Sequence, residues 1–292
     1  MELDGILLIN KEENMTSRDV DNLIQKKFKT KKVGHLGTLD PFATGLLILA
    51  INKGTKLLNF IDDSYKEYVA ILKLGEFKDT GDLTGKTLEK CDVRKYEKSE
   101  IIEVLQGFLG FSYQLPPMYS AIKINGKELY KYAYNNKDID KSLIKERKIE
   151  IKEIELLDYM DDEITFRCVV SSGTYIRTLG EDIAKKLGSA GFLIKLNRTR
   201  VGNYNLKNAI KLNEINENNL IKYNEVELKY KKVKLDDFLV KKLIYGQLIE
   251  LPFREDYFIA IDKDENLIAC CSLLENKDDS NTYKYSVLRG LF

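Results

Sequence analysis

One stretch limits the folds open to this chain more than any other: Gly34 to Gly45, GHLGTLDPFATG. Its three glycines permit tight turns and close approach of backbone segments. Pro41 biases the preceding Asp40 away from helical geometry toward an extended one. The stretch therefore reads as a constrained loop leading into an apolar segment, Ala43 to Ile51. A carboxylate is fixed on that loop inside the most basic part of the N-terminal half, since Lys29 to Phe60 holds five basic residues and only one acid, Asp40. An ordinary turn in which Asp40 accepts from a backbone N–H fits the spacing equally well.

On either side the pattern alternates between strands and helices. Gly5 to Asn10 reads as a buried strand. Thr16 to Phe28 reads as a helix, with Thr16 and Asp19 as a capping box and Val20, Leu23, Ile24 and Phe28 on one face. Tyr68 to Leu74 and Glu163 to Val170 alternate as half-buried strands do, the second with Ile164, Phe166, Cys168 and Val170 on one side. Tyr175 to Leu187 carries a buried helical stripe of Ile176, Leu179, Ile183 and Leu187. Residues 212–232 read as a loose connection, followed by short strands at Tyr257 to Ile261, Leu267 to Leu274 and Tyr283 to Val287. The expectation is a mixed α/β (α+β) body, with a central mixed or antiparallel sheet flanked by helices, over residues 1–235. A small β-rich domain would follow over 236–292.

Composition narrows the chemistry. His35 is the single histidine, and the four cysteines, Cys91, Cys168, Cys270 and Cys271, contain no CxxC pair. A zinc or iron–sulfur site has almost no ligands to use, and a Ser/His/Asp triad would have to be built on His35. Scattered cysteines point to a reducing compartment. The start, MELDGILLIN, carries acids where a signal peptide carries bases. The longest apolar run, Leu46 to Ile51, is far short of the roughly 20 residues a bilayer span needs. A cytoplasmic protein with no membrane association is expected.

The net charge of +1 conceals a local imbalance. Lys185 to Lys211 holds seven bases and no acid, whereas Glu250 to Asp279 holds nine acids and three bases. Two separated basic stretches suggest a polyanion binder, although such runs are also ordinary solvated faces.

Three further constellations could carry chemistry. In SSGTYIRTLGEDI, residues 171–183, a strand ends, Gly173 turns the chain, and Thr174 can cap the following helix. Tyr175 and Arg177 in the first turn can project past the helix end. An arginine there opposes the helix dipole, so a carboxylate partner is expected. In KEYVAILKLGEFKDTGDLTG, residues 66–85, Tyr68 begins a strand and Asp82 lies in a Gly-rich turn. The third is LPPMYSAIKINGKELYKYA, residues 115–133, and seventeen tyrosines without tryptophan suit base stacking.

The segments GILLINKEENMTSRD, GHLGTLDPFATGLLILA, KEYVAILKLGEFKDTGD, LPPMYSAIKINGKELY, SSGTYIRTLGEDI and LIKLNRTRVGNY stand in the order found in the bacterial tRNA pseudouridine synthase B family. The chain resembles that family from about residue 5 to residue 204, most specifically through GHxGTLDPxATG and GTYIR. Its C-terminal part is similar to the small RNA-binding (PUA-like) domain that often ends such proteins.

The resemblance implies an isomerase that turns one uridine of the tRNA T-arm loop, at conventional position 55, into pseudouridine without cofactor or metal. It implies Asp40 as the catalytic aspartate, attacking the ribose at C1′ or assisting deprotonation at C2′. Arg177 would be its ion-pair partner, which should lower the carboxylate pKa. Tyr68 would stack on the flipped base and is a candidate for proton transfer. His35 would fill the space the base leaves, Tyr175 and Leu196 would line the base pocket, Asp82 would lie near the base edge, and Lys11 would support the aspartate loop. Residues 115–150 would close over the RNA, and the protein would act as a monomer. Glu12 and Asn14 stand where the family usually has Pro and Gly, Tyr134 where Arg is common, and Asn52 and Gly54 where Gly and Ala are frequent. A non-catalytic RNA binder or chaperone, and an isomerase of the same fold acting on another RNA, would use the same basic surfaces.

Overall fold

β1 (Gly5–Lys11), β2 (Val33–Leu36) and β3 (Thr44–Ile51) pair antiparallel, with β3 between its two partners. This computed structural model describes residues 3–120, 122–124, 126–134, 143–274 and 282–292. From Gly45 onward β3 is buried along its whole length, the behaviour of a strand covered on both faces. Leu47, Leu49 and Ile51 enter one core cluster, and Leu46, Ile48 and Ala50 enter a second on the opposite side.

β4 (Tyr65–Leu74) alternates instead, burying Lys66, Tyr68, Ala70, Leu72 and Leu74. It starts three residues earlier than the pattern suggested, which puts Tyr68 inside the strand. Helix α1 (Ser17–Lys27) opens with the expected capping box: Thr16 Oγ1 accepts from the Asp19 N–H at 3.0 Å, and the Asp19 carboxylate accepts from the Thr16 N–H at 2.9 Å. Val20, Ile24 and Phe28 face the core as expected, and Leu23 does not. Leu23 is 47% exposed, and the inward positions belong to Ser17, Val20, Asp21 and Ile24.

β5 (Glu76–Lys78) and β6 (Thr87–Lys90) form a hairpin whose loop carries Asp82. Helix α2 (Lys98–Gln106) leads to β7 (Gly110–Gln114), after which β8 (Lys123–Ile124), β9 (Lys127–Glu128) and α3 (Leu129–Tyr134) are short. Part of the segment expected to close over RNA, 135–142 with 121 and 125, lies outside the described residues, as does the side chain of Tyr134. β10 (Arg147–Met160), β11 (Glu163–Ser171), helix α4 (Ile176–Lys186) and β12 (Gly191–Val201) complete the body. Ile164, Phe166, Cys168 and Val170 all point inward from β11, and Ile176, Leu179 and Ile183 of α4 pack in the same cluster.

Three short strands follow: β13 (Tyr204–Asn205) pairs with β12, and β14 (Ile210–Lys211) and β15 (Ile221–Lys222) pair with β1. In the segment expected to be loose, 212–232, β15 lies along the sheet edge, and the other two precede that segment. Among the described residues the result is an eleven-stranded mixed sheet, in the order β14-β1-β3-β12-β4-β11-β10-β7 along its main path. β12 is parallel to β3 at one end and antiparallel to β4 along its length. It therefore joins the two halves, and the site forms at that junction.

β16 (Lys232–Lys234), α5 (Asp237–Ile244), β17 (Ile249–Leu251), β18 (Tyr257–Ile261), β19 (Leu267–Leu273) and β20 (Tyr283–Gly290) make a second, five-stranded sheet. Ile259, Ile261, Leu267, Cys270 and Leu291 from this unit supply the second cover of β1 and β3. Cys270 faces that shared core while Cys271 faces the unit's own, as alternation on one strand requires.

Candidate active site

The loop from Gly37 to Ala43 is held at many points. Gly37 sits at φ +67° and its carbonyl accepts from Arg198 Nη2 at 2.9 Å. The Leu39 N–H donates to Ser17 Oγ at 2.9 Å, and the Ala43 N–H donates to the Asp40 carbonyl at 3.1 Å. Lys11, fully buried behind the loop, donates to the carbonyls of Met15 at 2.8 Å, Glu12 at 2.9 Å and Pro41 at 3.3 Å. Gly45 closes the loop at φ +104°, where a Cβ would lie 2.3 Å from the Arg198 carbonyl oxygen. A side chain at 45 would therefore push β12 away from β3.

The carboxylate so placed meets Arg177. Arg177 Nε donates to Asp40 Oδ2 at 2.9 Å and Nη2 to Oδ1 at 3.3 Å, a two-point pairing. Its remaining donors reach the Thr80 carbonyl at 2.7 Å and the Tyr119 carbonyl at 2.8 Å, with Asp82 Oδ2 at 3.9 Å. The carboxylate partner expected for a first-turn arginine is thus present. The cap is not the expected one, because Tyr175 is the N-cap and no side chain on its own segment caps the helix. Gln114 of β7 instead fixes the backbone of Tyr175, accepting from its N–H at 2.7 Å and donating to its carbonyl at 3.0 Å.

The charge balance at Asp40 also differs from expectation. Its carboxyl lies above the ordinary 3.8, because burial raises it more than Arg177 and Lys11 lower it, with Asp82 adding to the rise. About a third of the side chain stays open to the cleft, so the group is deep but reachable. Burial also pushes the Tyr68 hydroxyl above 10.0, and the positive charge of Arg198 pulls it back.

The cleft above this floor holds about 750 Å³. His35, Asp40, Tyr68, Asp82, Tyr175, Arg177 and Leu196 all line it, and Lys11 stands behind it. Asp82 is held rigidly, its Oδ1 accepting from Thr80 Oγ1, the Thr84 N–H and Thr84 Oγ1 at 2.9, 2.9 and 2.6 Å.

Some site residues lay hidden in the sequence. Arg198 counted there as one member of a basic, solvated run, yet it is 1% exposed and donates to the Leu46 and Gly37 carbonyls. Its register opposite Tyr68 turns it inward. Lys66 also lines the cleft, bonded to Asp63 at 3.0 Å and Ser172 at 2.8 Å. The signal for Lys66 was its place two residues before Tyr68 on an alternating strand.

A family model described as the N-terminal domain of TruB family pseudouridylate synthase matches residues 25–176, and one for the tRNA pseudouridylate synthase B C-terminal domain matches 177–240. The chain belongs to the TruB family. It is 37% identical over 287 residues to the tRNA pseudouridine synthase B of Mesoplasma florum, covering 97% of both chains. With the Clostridium tetani protein of the same name it shares 39% over 248 residues, covering 84% of this chain and 85% of the relative. A solved Cbf5–Nop10–Gar1 complex shares the fold at a TM-score of 0.75 and 23% identity, covering 99% of this chain and 85% of that one.

Two of the departures from the TruB pattern, Asn14 and Gly54, fit their surroundings. Asn14 takes φ +63°, the left-handed region a glycine would favour, and its N–H donates to the Pro41 carbonyl at 2.9 Å, so the first turn keeps its shape. Gly54 approaches so closely that a Cβ would lie 2.0 Å from the Gly5 carbonyl oxygen.

Lys11 gives a prediction with a defined sign. Burial lowers its amine from 10.5 to about 8. Holding the proton there costs stability at neutral pH, and that cost is released as pH rises from about 8 toward 10.5. The stability of wild type relative to Lys11→Met should therefore grow across that window, read as the difference in urea midpoints at its two ends. At neutral pH the substitution should change stability by only about 1 kcal/mol, since relief of desolvation offsets the lost carbonyl bonds. A constant difference across the window would remove the charged, buried Lys11 from the account.

Proposed function

We propose that this chain isomerises a uridine in the T-arm loop of tRNA, at conventional position 55, to pseudouridine. The observation that carries the reading is the two-point pairing of Asp40 with Arg177 on the floor of a cleft walled by Tyr68. The names of the relatives, tRNA pseudouridine synthase B, support tRNA as the substrate.

In the reaction the N1–C1′ bond breaks, the uracil turns, and C5 joins C1′. C5 gives up a proton and N1 gains one, so nothing is left over for a cofactor to carry. Asp40 acts as the carboxylate, at C1′ or at C2′, and either role needs it ionised. Arg177 opposes the burial that would otherwise keep it protonated. Extracting the uridine from its stack costs a few kcal/mol. Stacking on Tyr68 returns about 1–3 kcal/mol. Tyr175 and Leu196 line the base pocket, Asp82 faces the base edge, His35 fills the gap in the RNA, and Lys11 fixes the loop. Residues 1–235 act as the catalytic body and 236–292 as a PUA-like RNA-binding unit, in a cytoplasmic monomer. Among the described residues no helix is long and apolar enough to cross a membrane.

Mass-shift labelling of pseudouridine after incubation with full-length tRNA, an isolated T-stem loop and ribosomal RNA transcripts tests the reading. Conversion of one T-loop uridine in the first two substrates is expected. Activity on ribosomal RNA alone would transfer the chain to another substrate, and no pseudouridine in any of them would end the proposal.

A further inference from the structure

His35 takes its main partner from outside the cleft. Its Nδ1 lies 3.0 and 3.1 Å from the two carboxylate oxygens of Asp21, on α1, and its Nε2 lies 3.3 Å from Thr38 Oγ1. The ring is 19% exposed, whereas the Asp21 side chain is 1% exposed. Arg18, itself 66% exposed, approaches Asp21 Oδ2 at 3.3 Å.

Asp21 occupies an inward position of α1 beside Val20 and Ile24, where an apolar residue would pack without penalty. A carboxylate there is costly unless paired, so helix packing does not explain it. Its geometry does. An ionised carboxylate only accepts, so the nitrogen facing it must carry the proton, and the other nitrogen of a neutral ring is then an acceptor. Asp21 contacts only Nδ1, which leaves Nε2 directed to Thr38 at the cleft wall.

We propose that Asp21 is a positioning residue that fixes the Nδ1–H tautomer and ring plane of His35, so that Nε2 faces the RNA as a hydrogen-bond acceptor. The partner is a hydroxyl or amine donor on a nucleotide beside the flipped uridine, and the Thr38 hydroxyl donates to Nε2 until that group replaces it. The proposal rests on the reading of the cleft as an RNA site.

The lone histidine makes the test unambiguous, because protein labelled with ¹⁵N-histidine gives one imidazole spin system. At about pH 8.5, well above the ordinary histidine range, the RNA-free wild type should show its bare nitrogen at Nε2. Asp21→Asn retains an acceptor oxygen and should keep both that tautomer and a rate close to wild type. Asp21→Leu removes the acceptor and should move protons onto Nε2. Its single-turnover rate of pseudouridine formation should fall about tenfold, the scale of a hydrogen bond to a charged partner, with RNA affinity little changed. In a His35→Ala background Asp21→Leu should cost nothing further. Asp21→Ala serves in the same comparisons if leucine is not accommodated.

A wild-type ring protonated at Nε2, an asparagine variant as slow as the leucine variant, or an equal loss with and without His35 would each overturn the proposal. If wild type modified no RNA, the functional reading would fail, while the tautomer measurement would still decide the role of Asp21.

Discussion

Asp40→Asn should abolish pseudouridine formation, by at least about 10³-fold in turnover, as expected when the reacting group itself is removed. RNA affinity should stay within several-fold of wild type, since the shape of the loop is kept. Thermal stability should be unchanged or higher, and the sign follows from the environment. The Asp40 carboxyl is raised above its ordinary 3.8. Its stabilising contribution is therefore complete below that value and lost as pH rises through the folded-state value, leaving a cost at neutral pH that the amide does not carry. Arg177 retains the Thr80 and Tyr119 carbonyls and the nearby Asp82, so it is not stranded. Mass-shift labelling and a melting curve on one preparation read both effects. Turnover within tenfold of wild type would remove Asp40 from the chemistry, and a large drop in melting temperature would show that its charge supports the fold.

Arg177→Lys should lower turnover about 100-fold, through kcat more than KM. The guanidinium contacts Asp40 at two points and two carbonyls from separate segments. An ammonium group is a point charge with three donors and cannot span that arrangement. With less opposition to burial, the Asp40 carboxyl should rise further, and the acid limb of the kcat–pH profile should move to higher pH. A variant with the wild-type profile and rate would show that the planar fork is dispensable.

The parts of the fold that repeat with a clear period are legible in the residue pattern alone. β4, β11 and α4 bury the residues their patterns select because one face of each packs on the core while the other meets water. Leu23 misleads because helical periodicity ranks apolar residues by angle alone, and Asp21 takes the inward position for a polar reason. The strands between 204 and 222 are not legible, being two residues long and fixed by pairing with distant partners. At the site, the helix dipole asks only for some carboxylate near Arg177, and resemblance locates the cleft residues and pairs that arginine with Asp40. Depth is a property of the assembled fold, so neither the direction of the Asp40 shift nor the burial of Arg198 can be read from a charge count.

Arg177 gathers its partners from across the chain: Asp40 lies 137 residues away, Thr80 97 and Tyr119 58. Loop, hairpin and the segment after β7 converge on a helix translated after all of them. A nascent chain emerging from the ribosome can pair β1, β2 and β3 and still lack the group that opposes the burial of its carboxylate, while β4 reaches those strands only through β12. On this wiring the cleft stays unwalled throughout synthesis until β12 has left the exit tunnel, and no N-terminal fragment ending before residue 196 contains all of its lining.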